Sequence, residues 1–176
     1  MHSKYAIFGH PLHPMLVTIP IGLFIWAFVS DVVYVARDHD APWYDISFWT
    51  GIAAWVTGLI AALPGFGDYM ARARHSSAAN IATAHMTLNL IVVAAYLVAM
   101  LLQLDRGATS GGQLGAVFVL HLAGTSLLLL SGWLGGEMVY RHHLGVIPDD
   151  ATAAQDERAR HEIPQPGTQR PAGQNR

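Results

Sequence analysis

The chain has 176 residues, a formal net charge of -2 and no cysteine. Hydrophobic residues make up 52% of it and charged residues only 12%, which lies outside the usual composition of a soluble domain. The lack of cysteine excludes disulfides, thiolate zinc sites and iron-sulfur clusters bound by this chain, and the lack of a Lys or Arg cluster argues against nucleic-acid binding. Any metal chemistry must use His, Asp, Glu or Met, and the chain holds 10 histidines.

Four segments are long and apolar enough to cross a bilayer, which requires roughly 20 residues of helix. The polar connection at 37–42 and the glycine-rich one at 105–112 are short, which favours antiparallel neighbours. The sequence therefore predicts an all-α fold, in which residues 1–147 form an integral membrane four-helix up-down bundle. We place the helices at about 15–36, 44–64, 82–104 and 114–136.

Two other segments of the chain are polar enough to lie outside the bilayer. The connection from 64 to 81 is the longest, and we expect part of it to lie along the membrane surface as a short amphipathic segment. Large apolar residues are nearly absent from 148 to 176, which predicts a disordered cytoplasmic tail. No internal repeat is clear enough in the sequence to support an argument.

The charges in the connections predict the orientation of the bundle. Four spans place both termini and the 64–81 connection on one side of the membrane. That side carries more cations than the other, and the positive-inside rule therefore predicts cytoplasmic termini. The cations are Lys4, Arg72, Arg74 and Arg141 on the terminal side, against Arg37 and Arg106. A cleaved signal peptide would compete for residues 1–36, but the apolar stretch is long for one and lacks a small-residue cleavage site.

Small residues recur along the second span at steps of three and four: Gly51, Ala54, Gly58, Ala61 and Gly65. Small side chains let membrane helices approach closely. The stripe predicts tight packing within the bundle, and it would serve the surface of a homo-oligomer equally well.

Most of the histidines fall on the terminal side of the bundle. The run HPLHP at 10–14 places Pro14 in the first helical turn, which holds His13 at the mouth of the first span. His85 begins the third span at the same depth, and Asn89 follows four residues later on the same helix face. We therefore expect His13 and His85 to lie close together.

Such a cluster suits two kinds of cofactor. Haem b in a helical bundle is held by imidazoles from two helices, and its ligands here would be His13 and His85. A divalent transition metal would need a larger set, drawn from His10, His13, Asp68, His85 and Glu137. With either cofactor the chain would be a small redox subunit for electron transfer. The alternative is a non-catalytic membrane structural or assembly protein, whose polar residues fix helix packing.

A second polar pair is predicted deeper in the bilayer. His121 lies in the fourth span, too far from the terminal side to reach His85, and Asp31 comes to nearly the same depth late in the first span. A buried Asp31 and His121 pair is either a proton-relay element or a polar lock for helix packing, and we favour the lock. No nucleophile motif such as GxSxG occurs, so the sequence offers no catalytic residue and leaves open whether the chain is an enzyme.

Four stretches resemble one family of bacterial predicted membrane proteins, catalogued as domain of unknown function 2231. They are HPLHPMLVTIPIGL at 10–23 with Asp31 beyond it, AALPGFGDY at 61–69, His85 with Asn89, and SGWLGGEMVYRHHLGV at 131–146. The resemblance covers about residues 5–147.

This resemblance implies a four-helix integral domain of the bacterial inner membrane. Some relatives are joined to a Rieske-type iron-sulfur domain, which implies redox work. Since this chain has no cysteine, an iron-sulfur or respiratory partner would be a separate protein. The resemblance places five residues at distinctive positions of the family, namely His10, His13, Asp68, His85 and Glu137, but does not match His121 or His143.

Overall fold

The structure is a computed structural model that describes residues 5–8, 10–104, 111–144 and 158. Four of its segments are long and apolar enough to cross a membrane: Leu12–Ala36, Ala41–His75, Ala79–Leu104 and Gly112–Tyr140. This confirms the predicted all-α, four-span fold. The predicted disordered tail, 148–176, lies outside the described residues except for Arg158, as does most of the 105–112 connection.

The described elements are two short strands, five α-helices and one 3-10 turn. The strands β1 (Ala6–Ile7) and β2 (His10–Pro11) pair antiparallel at the start of the chain. The helices are α1 (Leu12–Leu16), α2 (Thr18–Ala36), α3 (Ala41–Ala71), α4 (Ala79–Leu104) and α5 (Gly111–Tyr140), and the 3-10 turn is Ala73–His75.

Helix α3 is longer than the sequence predicted, because it continues through Pro64 to Ala71. Proline removes one N–H from a helix interior, but in an apolar environment the remaining backbone groups find no better partners than those of the helix. The 3-10 turn and Ser76 then make a short connection to α4; the Ser76 hydroxyl accepts a hydrogen bond from the Ala78 amide at 3.2 Å. The predicted surface segment between 64 and 81 is therefore mostly helix.

The helices pack as two hairpins. Helix α2 packs mainly on α3 and α4 mainly on α5, while the hairpins meet through α2 with α5 and α3 with α4. Their shared core contains Phe24, Ala27, Ala54, Val92, Tyr96 and Leu128. Large apolar side chains such as Leu63 and Trp133 point outward, which suits contact with lipid.

The buried positions contain an internal repeat that the sequence alone did not make evident. Tyr96 follows Phe24 by 72 residues. The same offset relates other buried residues of α2 to those of α4: Pro20 with Val92, Ala27 with Ala99, and Asp31 with Gln103. An offset two residues shorter relates α3 to α5: Ser47 with Val117, Gly51 with His121, Ala54 with Gly124, and Ala61 with Ser131.

The two hairpins therefore repeat one design and run in the same direction. Residues at equivalent positions meet in the middle of the bundle, as residues near a twofold axis do. The ring centres of Phe24 and Tyr96 are 4.3 Å apart, and those of His13 and His85 are 6.3 Å apart. The bundle thus has an approximate twofold axis that runs along the helices.

The stripe of small residues on α3 lies inside the chain. Ala54 and Ala61 are fully buried, and a Cβ on Gly58 would lie 3.5 Å from the Phe24 ring. A Cβ on Gly65 would lie 2.6 Å from Nδ1 of His13. Residues of the first span therefore already occupy the face that was considered for a homo-oligomer.

The close approach of α4 and α5 gives a test of the core. A Cβ on Gly124 would lie 2.7 Å from the Tyr96 ring, so Gly124→Ala should destabilise the protein by about 1–3 kcal/mol. Gly115→Ala on the same helix meets nothing within 4 Å and should change little. Thermal unfolding in detergent, followed by circular dichroism, measures both. Equal unfolding temperatures for the two variants would contradict the packing described here.

Candidate functional site

His13 is held against α3 by one hydrogen bond and one glycine. Its Nδ1–H donates to the backbone carbonyl of Ala61 at 2.8 Å. Gly65 lies one turn further along α3, and its missing side chain leaves the space that the imidazole fills. Because Nδ1 is the donor, Nε2 of His13 keeps its lone pair.

His85 repeats this arrangement in the second hairpin. Its Nδ1–H donates to the backbone carbonyl of Ser131 at 2.8 Å, and the Ser131 hydroxyl lies 3.0 Å from the same nitrogen. Gly135 follows Ser131 by one turn, and a Cβ there would lie 3.4 Å from the ring. The donor and its acceptor are 46 residues apart, against 48 for His13 and Ala61.

Asn89 surrounds His85 with hydrogen bonds. Its side-chain Nδ2 lies 2.8 Å from the Ser131 hydroxyl, 2.9 Å from the His85 carbonyl and 3.1 Å from Nε2 of His85. An amide nitrogen has two hydrogens for these three acceptors, so one acceptor at a time is left without a donor. The longest and weakest contact is the one to the imidazole.

The structure brings His13 and His85 together, as the sequence predicted from their equal depth. Their ring centres are 6.3 Å apart with the planes at 87°, and both side chains are half-buried. The two imidazoles face each other across the approximate twofold axis, and each is oriented by a carbonyl of its own hairpin.

The other residues predicted as metal ligands do not join this pair. His10 lies on the exposed β-hairpin and contacts the Phe8 carbonyl at 3.0 Å, while Glu137 forms an ion pair with Arg141 at 2.9 Å. Asp68 belongs to no such group either: among the residues described, no three His, Asp or Glu side chains are arranged to hold a metal ion. The hairpin turns His10 outward, and helical spacing directs Glu137 to Arg141.

The Pro-Gly-Phe-Gly segment of α3 makes room for aromatic rings from the start of the chain. Gly65 receives the His13 imidazole, and a Cβ on Gly67 would overlap the ring of Tyr5. The β-hairpin therefore lies over the end of α3, beside the histidine pair.

Asp31 and His121 form the second polar site, near the opposite end of the bundle. Nδ1 of His121 donates to the Asp31 carboxylate at 2.5 Å, and the two residues are 1% and 5% exposed. The ring of Tyr96 stacks on His121 with the centres 4.4 Å apart. The Tyr96 hydroxyl in turn donates to the Phe24 carbonyl and shares a hydrogen bond with Thr125, both at 2.8 Å.

Sequence reasoning did not find two residues that complete these sites. Ser131 supplies the acceptor for His85, and Tyr96 supports His121. A hydroxyl within a span resembles an ordinary packing residue, so nothing in the pattern singled out Ser131. The 72-residue offset of the repeat would have pointed to Tyr96. Tyr96 is the equivalent of Phe24, just as His85 is the equivalent of His13.

The hydrogen bonds of Asn89 can be tested by substitution. Asn89→Leu keeps the approximate volume but removes the donor to Ser131 and His85, which should cost about 1–3 kcal/mol of stability. The control is Thr87→Val on the same helix, whose exposed hydroxyl bonds only within α4. Thermal unfolding in detergent should show a lower transition for Asn89→Leu alone. A Thr87→Val shift of the same size would remove this role from Asn89.

Comparison with known proteins places the chain in one family. A family model described as a predicted membrane protein (DUF2231) matches residues 9–148, which include both histidines of the pair and all four spans. No curated protein and no solved structure matches the chain. Because the match covers most of the chain, this integral membrane protein belongs to the DUF2231 family.

Proposed function

We propose that the chain is a small redox subunit of the membrane, in which His13 and His85 bind haem b near the end of the bundle that carries the termini. The observation that carries this proposal is the matched presentation of two imidazoles across the axis between the hairpins. Each donates Nδ1–H to a backbone carbonyl at 2.8 Å, which is the usual way in which metal-binding histidines are oriented.

The number of available ligands favours haem over a mononuclear metal site. Zinc, iron and manganese sites usually take three or more protein ligands, whereas a haem iron already has four nitrogens and takes up to two. In the described part of the chain no group of three ligand residues is assembled, but a pair is. The five residues considered as ligands of a divalent metal would have to move before they could bind one ion.

The geometry of the pair is compatible with a shared metal ion. The two rings lie close enough to serve one bound group, because their centres are 6.3 Å apart. Nε2 of His85 can be released without a penalty elsewhere, because Asn89 keeps two acceptors for its two hydrogens. The two imidazoles therefore suit the pair of ligands that a haem iron would take.

Haem b bound at this position would carry one electron at a time. The protein would orient the two ligands through Ala61 and Ser131, and α1 with the β-hairpin would cover the site at the membrane face. Because the chain has no cysteine, a partner such as an iron-sulfur protein would be a separate chain.

The competing function is a membrane structural or assembly protein, and one observation favours it. The bonds from His13 to Ala61 and from His85 to Ser131 already join neighbouring helices, so each imidazole has a packing role without any cofactor. Under this function the two histidines should affect stability and nothing else.

We propose further that the protein lies in the bacterial inner membrane with both termini in the cytoplasm. Arg72, Arg74 and Arg141 lie at the end of the bundle that holds His13 and His85. Arg37 lies at the opposite end. The positive-inside rule supports this orientation.

The haem proposal predicts a coloured protein. The full chain, purified from haem- and iron-replete cells, should show the absorption bands of low-spin haem with two imidazole ligands, and His13→Ala and His85→Ala should each abolish them. The controls are His10→Ala and His142→Ala, which remove imidazoles at the same membrane face and should keep the bands. Metal bound stoichiometrically without these bands would favour the metal site instead. A colourless, metal-free protein would refute the redox function and leave the packing one.

The orientation predicts one-sided labelling. The chain is free of cysteine, so Ala41→Cys and Ser77→Cys place single thiols at exposed positions on opposite ends of the bundle. A membrane-impermeant maleimide added to spheroplasts should label Ala41→Cys and leave Ser77→Cys unlabelled until the membrane is opened. The reverse pattern would invert the proposed orientation, and labelling of both thiols would contradict the four-span topology.

A further inference from the structure

The Asp31 and His121 pair has no counterpart in the other half of the repeat. The residue equivalent to Asp31 is Gln103, and the residue equivalent to His121 is Gly51, neither of which titrates. Both members of the pair are nine-tenths or more buried within helices that span the membrane. Ionisable groups at such depth are costly, so a site that only fixed packing could have used the uncharged pattern of the other half.

A cavity reaches Asp31, one member of this pair, near the end of the bundle opposite to the histidine pair. Its volume is about 360 Å³, and Asp31 lies in its wall between α2 and the first turns of α5. Tyr34, His39 and Tyr44 line it toward the connection between α2 and α3, and Gly115 and Phe118 line it on α5. This volume is large enough for several water molecules, and Asp31, Tyr34, His39 and Tyr44 are the polar residues in an otherwise apolar wall.

The repeat relates the wall of the cavity to a contact at the equivalent place in the other half. In the first hairpin the Tyr44 hydroxyl donates to the carbonyl of Gln103 at 3.2 Å, which ties α3 to α4 at this end. The equivalent position in the second hairpin is Leu114, which has no hydroxyl to bond to the Asp31 carbonyl and lines the cavity together with Tyr44. Asp31 is therefore a buried carboxylate beside a cavity, at a position where the two hairpins differ.

Toward the other end, the polar groups stop at an apolar layer. From His121 they continue through Tyr96 to Thr125, and the next polar group of α5 in the core is Ser131. Six residues of helix separate these two, or about 9 Å. Val92 and Leu128 are buried between them in the same core cluster. Water in the cavity therefore has no polar path to the histidine pair.

We propose that Asp31 and His121 form a proton-binding site that exchanges with water through this cavity, from the membrane face opposite to His13 and His85. Uptake adds one proton from water to the hydrogen-bonded pair, and release returns it by the same route. The proton is held within one site because the two residues share a hydrogen bond. The site binds and releases protons at one face and does not conduct them across the membrane.

Among the described residues that line the cavity, Asp31 is the one carboxylate, and His121 is its hydrogen-bond partner. His39 is exposed at its outer end, and Arg37 is paired with Asp40 at 3.2 Å on the surface beyond it. Tyr34 and Tyr44 face the cavity, and Tyr96 lies on the other side of His121 with its hydroxyl already bonded.

The experiment uses nitrogen-15 histidine labelling of the full chain in nanodiscs of phosphatidylethanolamine and phosphatidylglycerol. The ring nitrogen resonances of His121 are assigned by their loss in His121→Gln, or by their shift in Asp31→Asn if that variant does not fold. They should move when the pH of the buffer is changed, because a proton bound by the pair alters the ring nitrogens. Exposed His10 serves as the internal reference.

A matched pair of glycine variants tests the route. Gly115 lines the cavity, Gly132 lies on the same helix away from it, and an added Cβ meets nothing within 4 Å at either position. Gly115→Leu should slow hydrogen-deuterium exchange at Nδ1 of His121 severalfold, whereas Gly132→Leu should leave the rate unchanged. His121 resonances that do not move with pH while the fold persists would overturn the proton site. Equal exchange rates in the two glycine variants would overturn the cavity as its route.

Discussion

The structure depends on one constraint of the lipid environment: a polar side chain within the membrane must find its partner in the protein, since lipid offers none. Here most of those partners lie on a different helix. His13 bonds to Ala61, His85 to Ser131, and His121 to Asp31. Apolar surface gives little preference for one helix arrangement over another in lipid, so these few bonds fix the register of the spans.

The repeat multiplies the effect of this constraint. In each hairpin an imidazole donates a hydrogen bond to a helix carbonyl, and a glycine lies one turn further on. The arrangement occurs at the equivalent place in both hairpins. The equivalent rings of His13 and His85 then meet across the axis. The pair of Phe24 and Tyr96 extends the same principle to the centre of the bundle, where the rings pack 4.3 Å apart. Symmetry therefore brings His13 and His85 together as a consequence of the fold.

The sequence patterns predict some features of the fold and of the two polar sites, and leave others hidden. Hydropathy gave the four spans, and equal depth gave both His13 with His85 and Asp31 with His121. The carbonyl acceptors could not be foreseen, because every residue has one and only the helix rotation selects Ala61 or Ser131. The repeat was hidden for a related reason. Equivalent positions share burial and not identity, as when Asp31 corresponds to Gln103.

The departures from symmetry carry more information about function than the symmetry does. Where the two halves agree, as at the histidine pair, a packing role and a ligand role predict the same side chains, so only the cofactor content separates them. Where they differ, packing alone offers no reason for the difference, because the other half shows that Gln103 and Gly51 suffice to build the fold. Two ionisable side chains joined at 2.5 Å, with a cavity beside Asp31, stand where the other half has uncharged residues, and burying them is costlier. The free-energy cost of burying Asp31 and His121 falls near one membrane face. We therefore expect the chemistry of this half of the protein at that face.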